Sequence, residues 1–382
     1  MKLVNNTNEL SGCCTSDFSS TSSDDRQPHC GNNLDLPELE ELHADTQLID
    51  ASDDDGMKRA AQIIRDGGLV GFPTETVYGL GANALDADAA ALIYKAKGRP
   101  SNNPLIVHLA NPEDAERYCV TEPMYYKLAE KFMPGPLTVI LPKRNDNGSD
   151  HVPSATTGGL DTVALRVPSH PCAHRLIELA GVPIAAPSAN LSGRPSPSKA
   201  GHVVEDMFGR IGMIIDGGEC DFGLESTIVK LDGGVTLLRP GGITLEMLRE
   251  VCGEVKLGKG LTGKFEGRPE APGMMYRHYA PHSPVILLDG DDAAVYAYLA
   301  DKDNCGILCY DEDTVLLTRD GAMSLGKRDD PLTHAHRLFD CLRTYDTTDY
   351  PVIYARLPDK SGVGLAVYNR LIKAAGYEVI NL

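Results

Sequence analysis

Residues 67–109 read GGLVGFPTETVYGLGANALDADAAALIYKAKGRPSNNPLIVHL, and this stretch decides the fold class. LVGF is an apolar, strand-like run that enters a turn of hydroxyls, one acid and glycines. DADAAALIYKAK reads as a helix, and PLIVHLA as a buried strand. Between them lies Lys97-Gly98-Arg99-Pro100, with Asn102 and Asn103 close behind and His108 ending the strand. Hydroxyls, two cations and small residues in one segment suit a pocket that grips an anion.

The same alternation runs outward in both directions. Upstream, Asp53–Asp55 should open a helix over MKRAAQIIRDGG, since acids favour a helix N-terminus and glycine stops it. Downstream, PMYYKLAEKFM is a helix ending at PGP, and LTVILPK, TVALRVP, PIAAPSAN, MIIDGG, STIVKLD and TLLRPG are strands. TLEMLREV is a further helix. Interleaved strands and helices predict an α/β domain with a mixed sheet over residues 46–252. Residues 253–284 are rich in Gly, Pro and charge without an apolar period, and read as a linker. Beyond it VILLD, GILCY and PVIYARLP alternate with helical runs, which predicts a smaller, doubly wound α/β domain over 285–382. Residues 1–45 carry few large apolar side chains and predict a disordered tail.

Charge excludes some functions. The chain of 382 residues has a net charge of −18. Residues 1–56 hold 13 acids and 2 bases, leaving −7 for the remaining 326. No basic block exists to displace counterions from nucleic acid, so direct nucleic-acid binding is not expected. The ten cysteines form no CxxC pair and no zinc spacing, which fits reduced cytosolic thiols. There is no apolar run long enough for a membrane span and no signal-like N-terminus, so a cytoplasmic protein is expected.

Several local patterns compete as phosphate sites. Gly79-Leu80-Gly81-Ala82-Asn83-Ala84 matches the loose dinucleotide fingerprint, but Pro73 interrupts the incoming strand and no ribose-binding acid follows at the right distance. Two near-matches to a Walker A loop, ending at Lys259 and Lys264, lack the Ser or Thr that would reach magnesium. Lys97 and Arg99, if extended, share a face, and a guanidinium fork beside a point charge suits a triphosphate. A solvated helix C-terminus explains the two cations equally well on spacing alone. Ser188 and Asn190 lie in the Ser/Pro-rich loop APSANLSGRPSPS, which could be only a loop. Arg166, inside an apolar strand, must either pair with an acid or bind something. His108 could be a core histidine or a ligand-facing one.

Together these segments resemble the Sua5/YrdC/YciO family in its long, two-domain form. FPTETVYGLGANA, KGRPSNNPLIVH, PGPLTVIL, GLDTVALRVPSHP, GVPIAAPSANLSGRPSP, GLESTIV and LLRPGG follow in family order, and APGMMYRHYAPHSP resembles the family's interdomain segment. The resemblance implies a YrdC-like twisted mixed sheet and a Rossmann-like C-terminal domain. It implies synthesis of L-threonylcarbamoyladenylate and pyrophosphate from L-threonine, bicarbonate and ATP with Mg2+, for the tRNA modification t6A37, and a separate transferase that takes the product. By position, it implies that Lys97, Arg99, Ser188 and Asn190 surround the phosphates. Asn103, Thr162, Ser196 and Arg239 would add nucleotide contacts. Thr76, His108, Arg166, Ala186 and Ser226 would surround threonine, with Arg166 on its carboxylate. Tyr276, Arg277, His278 and Tyr279 would form a lid. The rival reading is a YrdC-type module that binds RNA or nucleotide without synthesis.

Overall fold

The structure, a computed structural model, describes residues 45–382 apart from 147–148, 263–266, 268 and 275–277. The expected tail, 1–45, falls outside the described residues but for its last position.

Strands β1 (Gln47–Asp50), β2 (Val70–Phe72), β3 (Gly79–Asn83), β4 (Ile106–His108), β5 (Leu137–Pro142), β8 (Thr162–Arg166), β9 (Ile184–Ala185), β10 (Met213–Asp216), β11 (Thr227–Leu231), β12 (Val235–Arg239) and β13 (Val255–Leu257) form one eleven-stranded sheet. Its order is β1-β10-β2-β3-β9-β4-β8-β5-β11-β12-β13, with parallel and antiparallel neighbours interspersed. β6 (Asn145–Asp146) and β7 (Ser149–Asp150) make a separate hairpin. Among these strands run α1 (Asp54–Arg65), α2 (Ala87–Lys97), α3 (Pro123–Phe132), α4 (Ser154–Thr157), α5 (Pro171–Ala180), α6 (Ala200–Met207), α7 (Leu245–Cys252) and α8 (Lys259–Thr262). The mixed α/β class expected from the alternation is what the chain adopts.

Period-2 alternation gives the sheet two buried faces. In β10, Met213 and Ile215 belong to the core cluster that holds α1 and α5, whereas Ile214 belongs to the cluster on the other side, where α6 packs against the strand. Each such side chain contributes about 1.5–3 kcal/mol by leaving water. α1 begins where Asp53 accepts from the N–H groups of Asp55 and Gly56 at 3.1 and 2.9 Å. Its buried stripe is Met57, Ala60, Ala61 and Ile64.

A second sheet, order β16-β15-β17-β14-β18, is parallel throughout. Its strands are β14 (Val285–Asp289), β15 (Gly306–Cys309), β16 (Ala322–Ser324), β17 (Ile353–Arg356) and β18 (Val379–Asn381). α9 (Asp292–Ala300) and α10 (Thr314–Leu317) cover one face, α11 (Pro331–Tyr345) and α12 (Gly364–Ala374) the other. This is the doubly wound arrangement read from the sequence. Val77, Leu224 and Tyr279 join the core under α11 and α12, so the two sheets are coupled by apolar packing.

The segment read as a linker is not wholly irregular. Its first part, β13, pairs in parallel with β12 and extends the large sheet. A three-residue strand is too short to show a period, and its pairing uses backbone groups only.

Candidate functional site

Three loops that follow strands of the large sheet meet at one cleft. They are the turn after β2, the loop after β9 and the segment leading into β11. The part of the linker region around Pro272, Gly273, His278 and Tyr279 supplies a further wall.

Lys97 is the last residue of α2, and Gly98 ends that helix in the left-handed conformation, φ 61. Arg99 is therefore brought beside Lys97 by a helix cap. The extended pairing considered above does not occur, because the helix persists to Lys97. Nor is the pair a solvated helix end: Lys97 is 2% exposed. Its Nζ donates to Ser188 O at 2.5 Å and to Asn190 O. Burial, then the neighbouring Arg99 charge, push the ammonium pKa well below its ordinary value. Burial likewise brings Arg99 down to about 10. An arriving anion reverses that penalty.

The loop after β9 is internally braced. Ser188 Oγ donates to Asn190 Oδ1 at 2.5 Å, and Asn190 Nδ2 donates to Leu191 O and Arg194 O at 2.8 and 2.9 Å. Arg99 donates to Asn103 O and Pro104 O at 3.3 and 3.1 Å. Asn103 stands behind Arg99, and its buried Oδ1 has no hydrogen-bond partner among the described residues.

On the opposite wall Arg239 closes β12. Its Nε donates to Ser226 O at 3.0 Å, its Nη2 to Ser226 Oγ at 3.1 Å and its Nη1 to Pro272 O at 3.3 Å. Ser226 Oγ also meets Thr138 Oγ1 at 2.7 Å. Ser196 donates to the Glu225 carboxylate. Arg166, at the end of β8, lines the cleft and lies 2.8 Å from Glu75 Oε1. The two charges face each other off the hydrogen-bond direction, so Arg166 Nη2 and both Glu75 oxygens keep unused hydrogen-bonding capacity. Thus Arg166 is both paired and available.

His108 is 3% exposed and packs edge-on against Phe72. Its Nδ1 lies 3.1 Å from Ile106 O, and burial, then Arg166, lower its pKa to about 3, so the ring is neutral. Ala186 lines the cleft with its N–H already given to Ile106 O at 2.8 Å. His278 and Tyr279 line it too, while Tyr276 and Arg277 lie outside the described residues. Burial, then Arg99, hold His278 neutral with a pKa near 3.

Of the residues singled out from sequence, the cleft wall therefore contains Lys97, Arg99, Ser188, Asn190, Ser196, Arg239, His108, Arg166, Ala186, Ser226, His278 and Tyr279. Thr76 is buried one step behind it, its hydroxyl 2.8 Å from that of Thr74, which does line it. Thr162 begins β8, four residues before Arg166, and is not part of the wall. Sequence reading missed Thr74 and Glu75 as site-shaping groups. The signal was present: a charged Arg166 in an apolar strand requires an acid, and Glu75 sits in an otherwise apolar and hydroxyl-rich turn.

The fingerprint around Gly79 is a strand: β3 pairs with β2 and β9 and leaves no turn for a pyrophosphate. Among the described residues no cluster of three or more His, Cys, Asp or Glu could hold a metal. Glu225, the one carboxylate among the described residues that line the cleft, is committed to Ser196 and Arg370.

Two families match the chain. One, described as "Telomere recombination" and covering the Sua5, YciO and YrdC proteins, matches residues 62–241. The other, described as "Threonylcarbamoyl-AMP synthase, C-terminal domain", matches residues 243–376. A Pyrococcus abyssi protein named threonylcarbamoyl-AMP synthase is 46% identical over 85% of this chain and 95% of its own length. A Bacillus subtilis protein of the same name is 45% identical over 86% and 96%. The crystal structure of P. abyssi Sua5 complexed with L-threonine superposes with a TM-score of 0.77 at 46% identity, covering 85% of this chain and 96% of that one. With both its domains matched in order and its length covered, the chain belongs to the Sua5/YrdC/YciO family, in the two-domain Sua5 form.

Proposed function

We propose that the cleft makes L-threonylcarbamoyladenylate from L-threonine, bicarbonate and ATP. The observation that carries this reading is the convergence of Lys97, Arg99, Arg166 and Arg239 on one cleft, with a single lining carboxylate among the described residues, in a chain of net charge −18. A locally cationic cleft in an acidic protein concentrates anionic substrates. The relatives' name, and the threonine complex of P. abyssi Sua5, support the same reading.

Arg166 offers its free Nη2 to the threonine carboxylate, and Ser226, with Thr76 behind Thr74, reads the hydroxyl. Buried hydroxyls left unpaired by an analogue lacking that group would discriminate against it. The neutral amine bonds to the carbon of bicarbonate, and the departing hydroxyl leaves as water with one amine proton. A carbamate oxygen then attacks the α-phosphorus, the bond to the bridging oxygen breaks, and pyrophosphate leaves: a nucleotidyl transfer. Lys97 and Arg99 offset the charge that develops on the phosphates, and Ser188 and Asn190 hold their geometry. Magnesium supplies charge neutralisation as part of the nucleotide substrate. Positioning and electrostatics carry most of the rate gain. His278 and Tyr279, with the flanking linker, act as a lid that keeps water from the hydrolysable carbamate and adenylate. The product serves t6A37 formation by handing a small molecule to a transferase, which needs no grip on tRNA here.

Incubation with isotope-labelled bicarbonate, L-threonine and ATP should yield a labelled threonylcarbamoyl-adenylate by mass spectrometry. Retention of ATP or RNA without that product would make the chain a binding module.

A further inference from the structure

The smaller domain sends one buried arginine from each of two helices to the back of the cleft wall. Arg370, on α12, has no exposed surface. Its Nε donates to Glu225 Oε2 at 2.8 Å, its Nη1 to Pro240 O at 2.9 Å and its Nη2 to Glu225 O at 3.2 Å. One guanidinium thus ties together the residue before Ser226 and the residue after Arg239. Ser226 and Arg239 are hydrogen-bonded to each other and both face the cleft. Arg343, on α11, is 3% exposed and donates through Nη2 to Pro195 O and to Asp206 Oδ2, each at 2.7 Å. Its first anchor immediately precedes Ser196, whose hydroxyl returns to Glu225. The contacts Arg343, Pro195-Ser196, Glu225 and Arg370 therefore form a continuous brace behind one wall.

Stability alone does not account for such a brace. Burying a guanidinium with a carboxylate is roughly break-even against an apolar pair of the same volume. What the charges provide is geometry: a planar fork fixes three acceptors at once, which neither lysine nor an apolar side chain does. Two more contacts extend the hold to the lid. The Arg370 guanidinium lies over the Tyr279 ring, 5.7 Å from its centre, and Lys373 Nζ donates to Gly273 O.

We propose that Arg370 is a positioning residue of the active site. Through Glu225 and Pro240 it sets the corner formed by Ser226 and Arg239, and Arg343 holds the facing corner at Ser196. The smaller domain is then a working part of the cleft and not an appended module. The inference rests on the synthase reading above.

The test uses the full chain with pyrophosphate release as the readout, titrating L-threonine and ATP separately. Arg370→Lys and Arg370→Met should each raise KM for both substrates by about tenfold or more and lower kcat, with a single melting transition retained. Lysine should fail to rescue. Because Arg370→Met strands a buried carboxylate, the double variant Arg370→Met/Glu225→Gln removes that charge; it should fold and keep the raised KM values. A purely structural role would cut the active fraction, lowering kcat at unchanged KM, and that result overturns the inference. Wild-type protein in the same assay judges the synthase reading separately. If it shows no threonine-dependent turnover, calorimetric ATP affinity decides: about tenfold weaker binding in Arg370→Lys supports the brace, and equal affinity refutes it.

Discussion

Lys97 shows how burial prepares a side chain for an anion. Its ammonium sits among carbonyl oxygens beside Arg99, 2% exposed, and its pKa falls well below 10.5 through burial first and Arg99 second. A bound triphosphate would raise that pKa again by bringing opposite charge beside the ammonium. Lys97→Ala or Arg99→Ala should reduce kcat by about 10²-fold or more while the circular dichroism spectrum stays that of the wild type. His108 is the counterpart, a buried group kept neutral. Its folded pKa, about 3, lies below the usual 6.5. The stability gained by holding it uncharged is complete above pH 6.5 and is lost as pH falls from there towards 3. The melting temperature of His108→Asn should therefore fall less steeply over that window than the wild type's; parallel curves would show that His108 is not the titrating group. Residue chemistry was partly legible in sequence. The cations and hydroxyls stood out, but Arg343 and Arg370 did not, because an arginine on an amphipathic helix looks the same whether it meets solvent or a carboxylate 145 residues away.

Among the elements, the turn out of α2 has the greatest functional weight. Gly98 at φ 61 redirects the chain so that Lys97 and Arg99 reach the same cleft. A side chain there is strained, and Gly98→Ala should cost about 1–2 kcal/mol of stability, read from denaturant unfolding. It should also impair turnover more than that loss explains; unaltered kcat would mean the turn can relax without moving the cations. Gly241 shows the other use of glycine, close approach, since a Cβ there would lie 2.5 Å from Thr227 N. Element types were well marked in the sequence where apolar patterning was strong, as in α1, β10 and α7. The acids at Asp53–Asp55 announced α1, and Asp53 caps it as Asp86 caps α2. β13 was not legible, because an edge strand of three residues is specified by its partner β12 and not by its own pattern.

Across the whole molecule, the two sheets share one apolar cluster and one buried ionic brace, and the cleft lies where they meet the linker. This explains why a domain with no cleft-lining residue of its own could still govern the site. No sequence pattern announces such an arrangement, since the contacts that Arg343 and Arg370 make with Pro195, Asp206, Glu225 and Pro240 span 130 residues or more. The proposed lid belongs to this scale as well. Gly273, φ 79, approaches Tyr279 so closely that a Cβ would lie 2.5 Å from its hydroxyl. Replacing residues 272–280 by a Gly/Ser tether should leave both sheets folded while shortening the lifetime of the adenylate, followed by mass spectrometry; an unchanged lifetime would remove the lid from the mechanism. Among the described residues no helix is long and apolar enough to cross a membrane. In the function proposed above, this one cleft joins three substrates. Pyrophosphate release from magnesium and ATP, measured with L-threonine or bicarbonate omitted in turn, tests it most directly. Release that requires both is the predicted result; release that proceeds without either one, or none with all three present, would contradict the account.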